Sequence, residues 1–161
     1  MNTAELLNDN FRFEISESSN KYHIKLIGII DENADLSSLV SCKNKPIVFN
    51  FKEVSSVNSC GIRTWVNFMK ELNNSSIEFV DCPPTIVRQM NMVPSFLGKA
   101  NVISVYVPYV CDACEHEHQE LTQIKDYKSG TPVAESLKCP NCSSEEMEID
   151  GNVKQYFAFV K

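Results

Sequence analysis

Histidine and glycine, on which many catalytic centres rely, are scarce in this chain. It has three histidines and five scattered glycines among 161 residues, so no glycine-rich loop cradles a phosphate. Neither a Ser-His-Asp nor a Cys-His arrangement can be assembled. The chain is therefore read as non-catalytic. No apolar run reaches the ~18 residues that a membrane-spanning helix requires. The opening "MNTAELLNDNFRF" lacks both the basic start and the apolar stretch of a signal peptide. A cytoplasmic protein without membrane contact is the expectation, and in that reducing compartment thiols bind metal or fill cores instead of pairing. Internal repeats and low-complexity segments are missing too.

The composition is that of a folding chain, with 43% hydrophobic and 22% charged residues. Its charge is divided unevenly. Residues 1–107 hold eleven acids and ten bases, net −1, whereas residues 108–161 hold ten acids and five bases, net −5. Two parts are expected, 1–107 and 108–161. A tail of that charge repels a phosphate backbone, which argues against nucleic acid as a partner.

Hydrophobic periodicity organises the first part. "FRFEISE" alternates apolar and polar positions, "YHIKLIGII" runs into a continuous apolar stretch, and the "SSNK" between them reads as a hairpin turn. "KPIVFNF", "SIEFV" and "VISVYV" read as strands buried on both faces. Between them, Ile62, Trp65, Val66, Met69 and Leu72 recur at helical spacing, with Arg63, Asn67, Lys70 and Glu71 on the other side. "PPTIVRQMNMV" opens with Pro84 in a first helical turn and stops before Pro94, after which "SFLG" adds about one more turn. A short helix is also expected between the second and third strands. The order predicts an α/β fold, a mixed sheet with helices laid on it.

"VSSVNSCGIRTW", residues 54–65, joins a strand to the amphipathic helix through small polar residues. Such a turn presents backbone N–H groups and the positive end of a helix dipole to an anion or a partner's carboxylate. It is equally the place for an ordinary N-cap, Asn58 or Ser59, with Gly61 relieving crowding where another backbone comes close.

"LIGIIDENADLSSL", "KPIVFNFKEVSSVNSCGIRTWVNFMKEL" and "IEFVDCPPTIVRQMNMV" together resemble the STAS domain of bacterial anti-sigma factor antagonists, over roughly residues 11–107. The resemblance implies a STAS-like sheet, a role in signalling, and a protein partner of the anti-sigma factor or serine kinase class. In that family the central turn reads Asp-Ser-Ser-Gly, and the second Ser is phosphorylated by the partner kinase. The matching positions here are Asn58, Ser59, Cys60 and Gly61. A thiol is not a serine kinase's substrate, so the usual switch is expected to be silent, with Ser59 the one neighbouring hydroxyl. Cys60 is read as a buried replacement for the family serine, and Cys42 and Cys82 as core residues. The partner surface is expected on Asn58, Ser59, Cys60, Gly61, Arg63, Thr64, Asn67 and Lys70.

The tail carries the most specific spacing. Cys111-Asp112-Ala113-Cys114 and Cys139-Pro140-Asn141-Cys142 are two C-x-x-C knuckles separated by 24 residues. Each brings two thiolates to one ion, and together they complete the tetrahedral set preferred by Zn²⁺, without the open position of a catalytic site. The tail thus resembles a zinc ribbon with a structural Zn²⁺ on Cys111, Cys114, Cys139 and Cys142. His116 and His118 are expected in an exposed loop, the spacer "TQIKDYKSGTPVAES" as loop, and Asp150-Gly151 as a hairpin turn. "YFAFV" packs either on the ribbon or on the first part. The leading expectation is a protein-binding regulator. A thiol- or zinc-based redox regulator and a nucleic-acid-binding ribbon are the alternatives.

Overall fold

The computed structural model describes residues 2–6, 10–72 and 76–161. Strand β1 (Asn2–Leu6) lies antiparallel to β2 (Phe11–Ser18), which forms a hairpin with β3 (Lys21–Ile30). At the hairpin tip Ser19 and Asn20 both take positive φ, 51° and 63°, the twist that suits a tight two-residue turn. A 3-10 helix (Ser37–Asn44) leads to β4 (Ile47–Val57), which runs parallel to β3. Helix α1 (Ser59–Glu71) crosses to β5 (Ile77–Val80). Helices α2 (Pro84–Met92) and α3 (Pro94–Leu97) then lead to β6 (Asn101–Val102), closing a mixed sheet in the order β1-β2-β3-β4-β5-β6. The α/β expectation holds, and β1 adds an edge strand that the polar "NTAEL" did not announce.

The sheet and helices meet over an aromatic core. Phe49, Phe51 and Phe79 project from β4 and β5 onto Trp65 of α1, whose ring centroid lies 5.2, 5.4 and 5.9 Å from theirs. Trp65 is fully buried, and its indole N–H donates to the carbonyl of Phe96 in α3 at 3.0 Å. That bond satisfies a donor which burial would otherwise leave unpaired. Phe68, 4% exposed, widens the α1 stripe beyond the expected positions.

The expected strand "VISVYV" is two strands. Beyond β6 the chain breaks at Ile103, and β7 (Ser104–Cys111) enters a second sheet of order β8-β7-β10-β9. The change of sheet thus falls a few residues before position 107. It is anchored by Ser104, whose hydroxyl donates to Asp81 Oδ1 at 2.9 Å and accepts from the Asp81 N–H at 2.8 Å. Cys82 continues the join, with its N–H on the Ser104 carbonyl and its carbonyl accepting from Tyr106.

The rest of the tail departs from expectation in three places. The spacer is not all loop: β8 (Glu117–Gln123) pairs antiparallel with β7 and is followed by α4 (Ile124–Lys128), because Ile124 buries itself at 6% exposure. His118 accordingly sits in β8, half-buried and hydrogen-bonded to Glu120 at 2.6 Å. Past β9 (Ser136–Leu137) and β10 (Met147–Ile149), Asp150-Gly151 does not turn a hairpin. Gly151, at φ +123°, ends the strand, and the Asn152 side chain accepts from Gln155 N–H to cap α5 (Val153–Tyr156). The C-terminal aromatics then pack both ways. Phe157 stacks on Tyr127 of the tail at 4.1 Å, while Asn91 of α2 donates to the carbonyls of Gln155 and Tyr156.

Candidate metal centre and strand-to-helix turn

The two knuckles adopt one conformation twice. In the first, Glu115 N–H donates to the Cys111 carbonyl at 2.8 Å and Cys111 N–H to the His116 carbonyl at 2.9 Å. In the second, Ser143 N–H donates to the Cys139 carbonyl at 2.9 Å and Cys139 N–H to the Ser144 carbonyl at 2.8 Å. Glu115 and Ser143 occupy equivalent places with φ of 62° and 64°. Each loop folds back over its own cysteine pair, so both sulfurs point the same way. The register between β7 and β10, with Cys111 opposite Met147, sets the two knuckles face to face.

All four thiol sulfurs lie within 4.8 Å of one another. Across the knuckles, Cys111 Sγ is 3.6 Å from Cys142 Sγ and Cys114 Sγ is 3.7 Å from Cys139 Sγ. A metal with bonds of about 2.3 Å to four tetrahedral sulfurs places them about 3.8 Å apart, whereas a disulfide needs about 2.05 Å. The spacing fits an ion held between reduced thiols. Cys111 and Cys139 are buried, Cys114 is intermediate, and Cys142 is exposed at the rim. Asn141 supports the sulfurs by donating from its side chain to Cys114 and from its backbone to Cys139, both at 3.4 Å. The Asn141 hydrogen bond, with help from the His116 backbone, brings the Cys114 thiol down to about 6. At Cys142 the Ser144 N–H also favours the thiolate, but lost solvent and the three neighbouring sulfurs outweigh it and push the group up to about 12. Four sulfurs converging on one point repel as anions, and a cation between them removes that repulsion.

The second site residues cluster at the start of α1. Asn58 is the N-cap: its Oδ1 accepts from Gly61 N–H at 2.7 Å, and its amide donates to Glu32 Oε2 at 3.1 Å. Gly61 is buried against β3, where a Cβ would sit 1.9 Å from the Ile30 carbonyl oxygen. The capping expectation is met at Asn58, with Gly61 permitting the close approach. Arg63, Asn67 and Lys70 are exposed along one side of α1. Thr64 is half-buried and spends its hydroxyl on the Cys60 carbonyl at 3.0 Å.

Cys60 corrects the reading from sequence. It is exposed, as is Ser59, because α1 begins at Ser59 and the residue that turns toward the sheet is Gly61. Helical rotation then carries position 60 to the solvent side. Cys42 and Cys82 are buried as expected, at 5% and 0% exposure, and burial pushes both thiols up. Glu32 was not foreseen. It sits 26 residues before Asn58 in a polar run, and only the parallel pairing of β3 with β4 brings the two together.

The chain matches no protein-family model and no curated protein. No helix of the described residues is long and apolar enough to cross a membrane.

Proposed function

We propose that this chain is a non-catalytic, protein-binding regulator: a STAS-like sheet carrying a zinc ribbon whose Zn²⁺ is structural. The observation that carries the metal assignment is the set of four sulfurs at tetrahedral spacing on two equivalent knuckles. Four soft thiolates in a tetrahedral array suit zinc, as they also do iron, and four protein ligands leave no position for substrate or water. Zinc there supplies folding free energy that so small a sheet lacks.

The partner surface is the turn Asn58-Ser59-Cys60-Gly61 with Arg63, Thr64, Asn67 and Lys70 beside it. Rigidity supports this reading. The Asn58 cap and the Gly61 contact with Ile30 hold the turn still while Ser59 and Cys60 face solvent. A preorganised, exposed turn loses little entropy on docking. A partner of the anti-sigma factor or serine kinase class is the one the resemblance implies. The test is binding of a co-purifying partner from the native cell, then of that purified partner, to the unaltered chain and to Arg63→Glu with Lys70→Glu. The doubly reversed variant should fold normally and bind at least about tenfold more weakly; equal binding counts against this surface.

The exposure of Cys60 favours a second reading, a thiol-responsive regulator in which oxidation at this turn controls docking. Intact mass and partner binding after mild peroxide, and again after thiol reduction, separate the two: the second reading expects a loss of binding that reduction reverses and that Cys60→Ser does not show, and the absence of such a reversible loss leaves the first.

A further inference from the structure

The lysines of the acidic tail are gathered on one side. A cleft of about 920 Å³ beside α4 and α5 is bordered by Lys128, Lys154 and Lys161. A smaller one of about 190 Å³ adjoins it, sharing Lys128, Val160 and Lys161 and adding Lys99 from the loop after α3. The two adjoin across Lys128, Val160 and Lys161 as one furrow, which lies within the tail in its larger part and reaches the first sheet through Asn101 and Val102 of β6 in its smaller part. Three of the five bases of residues 108–161 lie on it, and among the described residues Glu135 is the one acidic side chain that borders it.

These ammonium groups are unspent. Lys21 and Lys25 of β3 and Lys45, between the 3-10 helix and β4, pair with Glu78, Glu53 and Glu17. Among the described residues no carboxylate pairs with Lys99, Lys128, Lys154 or Lys161. In a chain of net charge −6, such segregation creates a local positive field where the whole molecule is negative. The floor of the furrow is aliphatic, with Val133, Ile149 and Val153 in the larger part, Leu97 and Val102 in the smaller, and Val160 between.

From these observations we infer that the furrow is a docking site for an extended peptide segment carrying acidic and aliphatic side chains. Carboxylates meet the lysine rim, and aliphatic side chains cover the half-buried valines. A nucleic acid is disfavoured by the same surface. Among the described residues no arginine borders the furrow. The nearby rings are engaged, Tyr127 by its stack with Phe157 at 4.1 Å and Phe159 by burial to 9% exposure. Single strands rely largely on free aromatic faces, and a long polyanion would be repelled by a chain of net charge −6. The site is separate from the α1 turn and stands or falls independently of it.

Fluorescence anisotropy of the full-length, metal-loaded chain with a fluorescein-labelled peptide of alternating Glu and Leu tests this. A Lys-Leu peptide and a single-stranded oligouridylate serve as comparisons. The Glu-Leu peptide should bind, weaken between about 50 and 200 mM salt as screening grows, and lose at least about tenfold in affinity in Lys128→Glu with Lys154→Glu. The milder Lys128→Gln with Lys154→Gln should lose less, and Lys52→Glu, on an exposed lysine of β4 outside the furrow, should change nothing. Circular dichroism and metal content confirm that the variants fold. The proposal is overturned if both peptides bind alike, if neither binds, if charge reversal leaves affinity unchanged, or if the oligouridylate binds more tightly through the same lysines.

Discussion

Gly61, in the first turn of α1, lies against β3 so closely that a Cβ would sit 1.9 Å from the carbonyl oxygen of Ile30. Two opposing effects meet at this residue. Within a helix Ala is favoured over Gly by about 1 kcal/mol, but here the added methyl would drive into backbone that has no rotamer to escape through. The steric effect wins. Gly61→Ala should destabilise by about 1–3 kcal/mol, seen as a lower urea midpoint with an unchanged slope. A stabilised variant would show that α1 shifts away from β3 at little cost.

The sulfur cluster predicts stoichiometric metal. Protein purified without chelator should carry one zinc per chain by elemental analysis, and Cys114→Ser should lose it, because three thiolates and a hydroxyl bind zinc far less well. Removing the metal should expose the backbone of residues 108–161 to hydrogen exchange first. The aromatic core around Trp65, which makes no use of the metal, should stay protected. A preparation that folds fully and carries no metal would refute the centre.

Thiol chemistry should follow exposure. In the metal-loaded protein, iodoacetamide should modify Cys60 first, because it is exposed and outside the metal cluster. Cys42 and Cys82 should react only after denaturation, since both are buried with raised pKa values that disfavour the reactive thiolate. Serine kinases should leave position 60 unmodified, and phosphate should appear there only in Cys60→Ser with Asn58→Asp. High phosphate occupancy at Ser59 of the unaltered chain would revive the switch at the neighbouring hydroxyl.

Alkaline stability should report Tyr156. Burial, with a smaller contribution from Cys82, holds its phenol well above the ordinary value, and its hydroxyl donates to the Tyr106 carbonyl where α5 crosses β7. The folded state therefore favours the neutral phenol. Its contribution is complete below the unfolded phenol pKa of about 10 and is lost as pH rises from there through the folded value. At neutral pH, Tyr156→Phe should cost about 1 kcal/mol. The gap between the two proteins should then narrow as pH climbs past about 10; a gap independent of pH would contradict it.

Much of the candidate metal site was legible in sequence because a C-x-x-C knuckle is a local object. Two cysteines three positions apart reach one ion whatever surrounds them, and the doubled motif names all four sulfurs. The α1 helix was legible for a similar reason, since Trp65, Met69 and Leu72 repeat at its period and decide which side turns inward. Local periodicity says nothing about what lies across a sheet. That Gly61 abuts Ile30, that Glu32 reaches Asn58, and that Cys60 faces solvent depend on β3 lying parallel to β4, a pairing between strands separated by a 3-10 helix and two loops. The break at Ile103 likewise divides one apolar run between two sheets because Ser104 and Asp81 bind each other, a contact 23 residues apart. The furrow is the same kind of object. Lys99, Lys128 and Lys154 are scattered along the chain and read singly as solvated surface, and only the packing of α5 and the chain end against α4 and the loop after α3 puts their charges in one place.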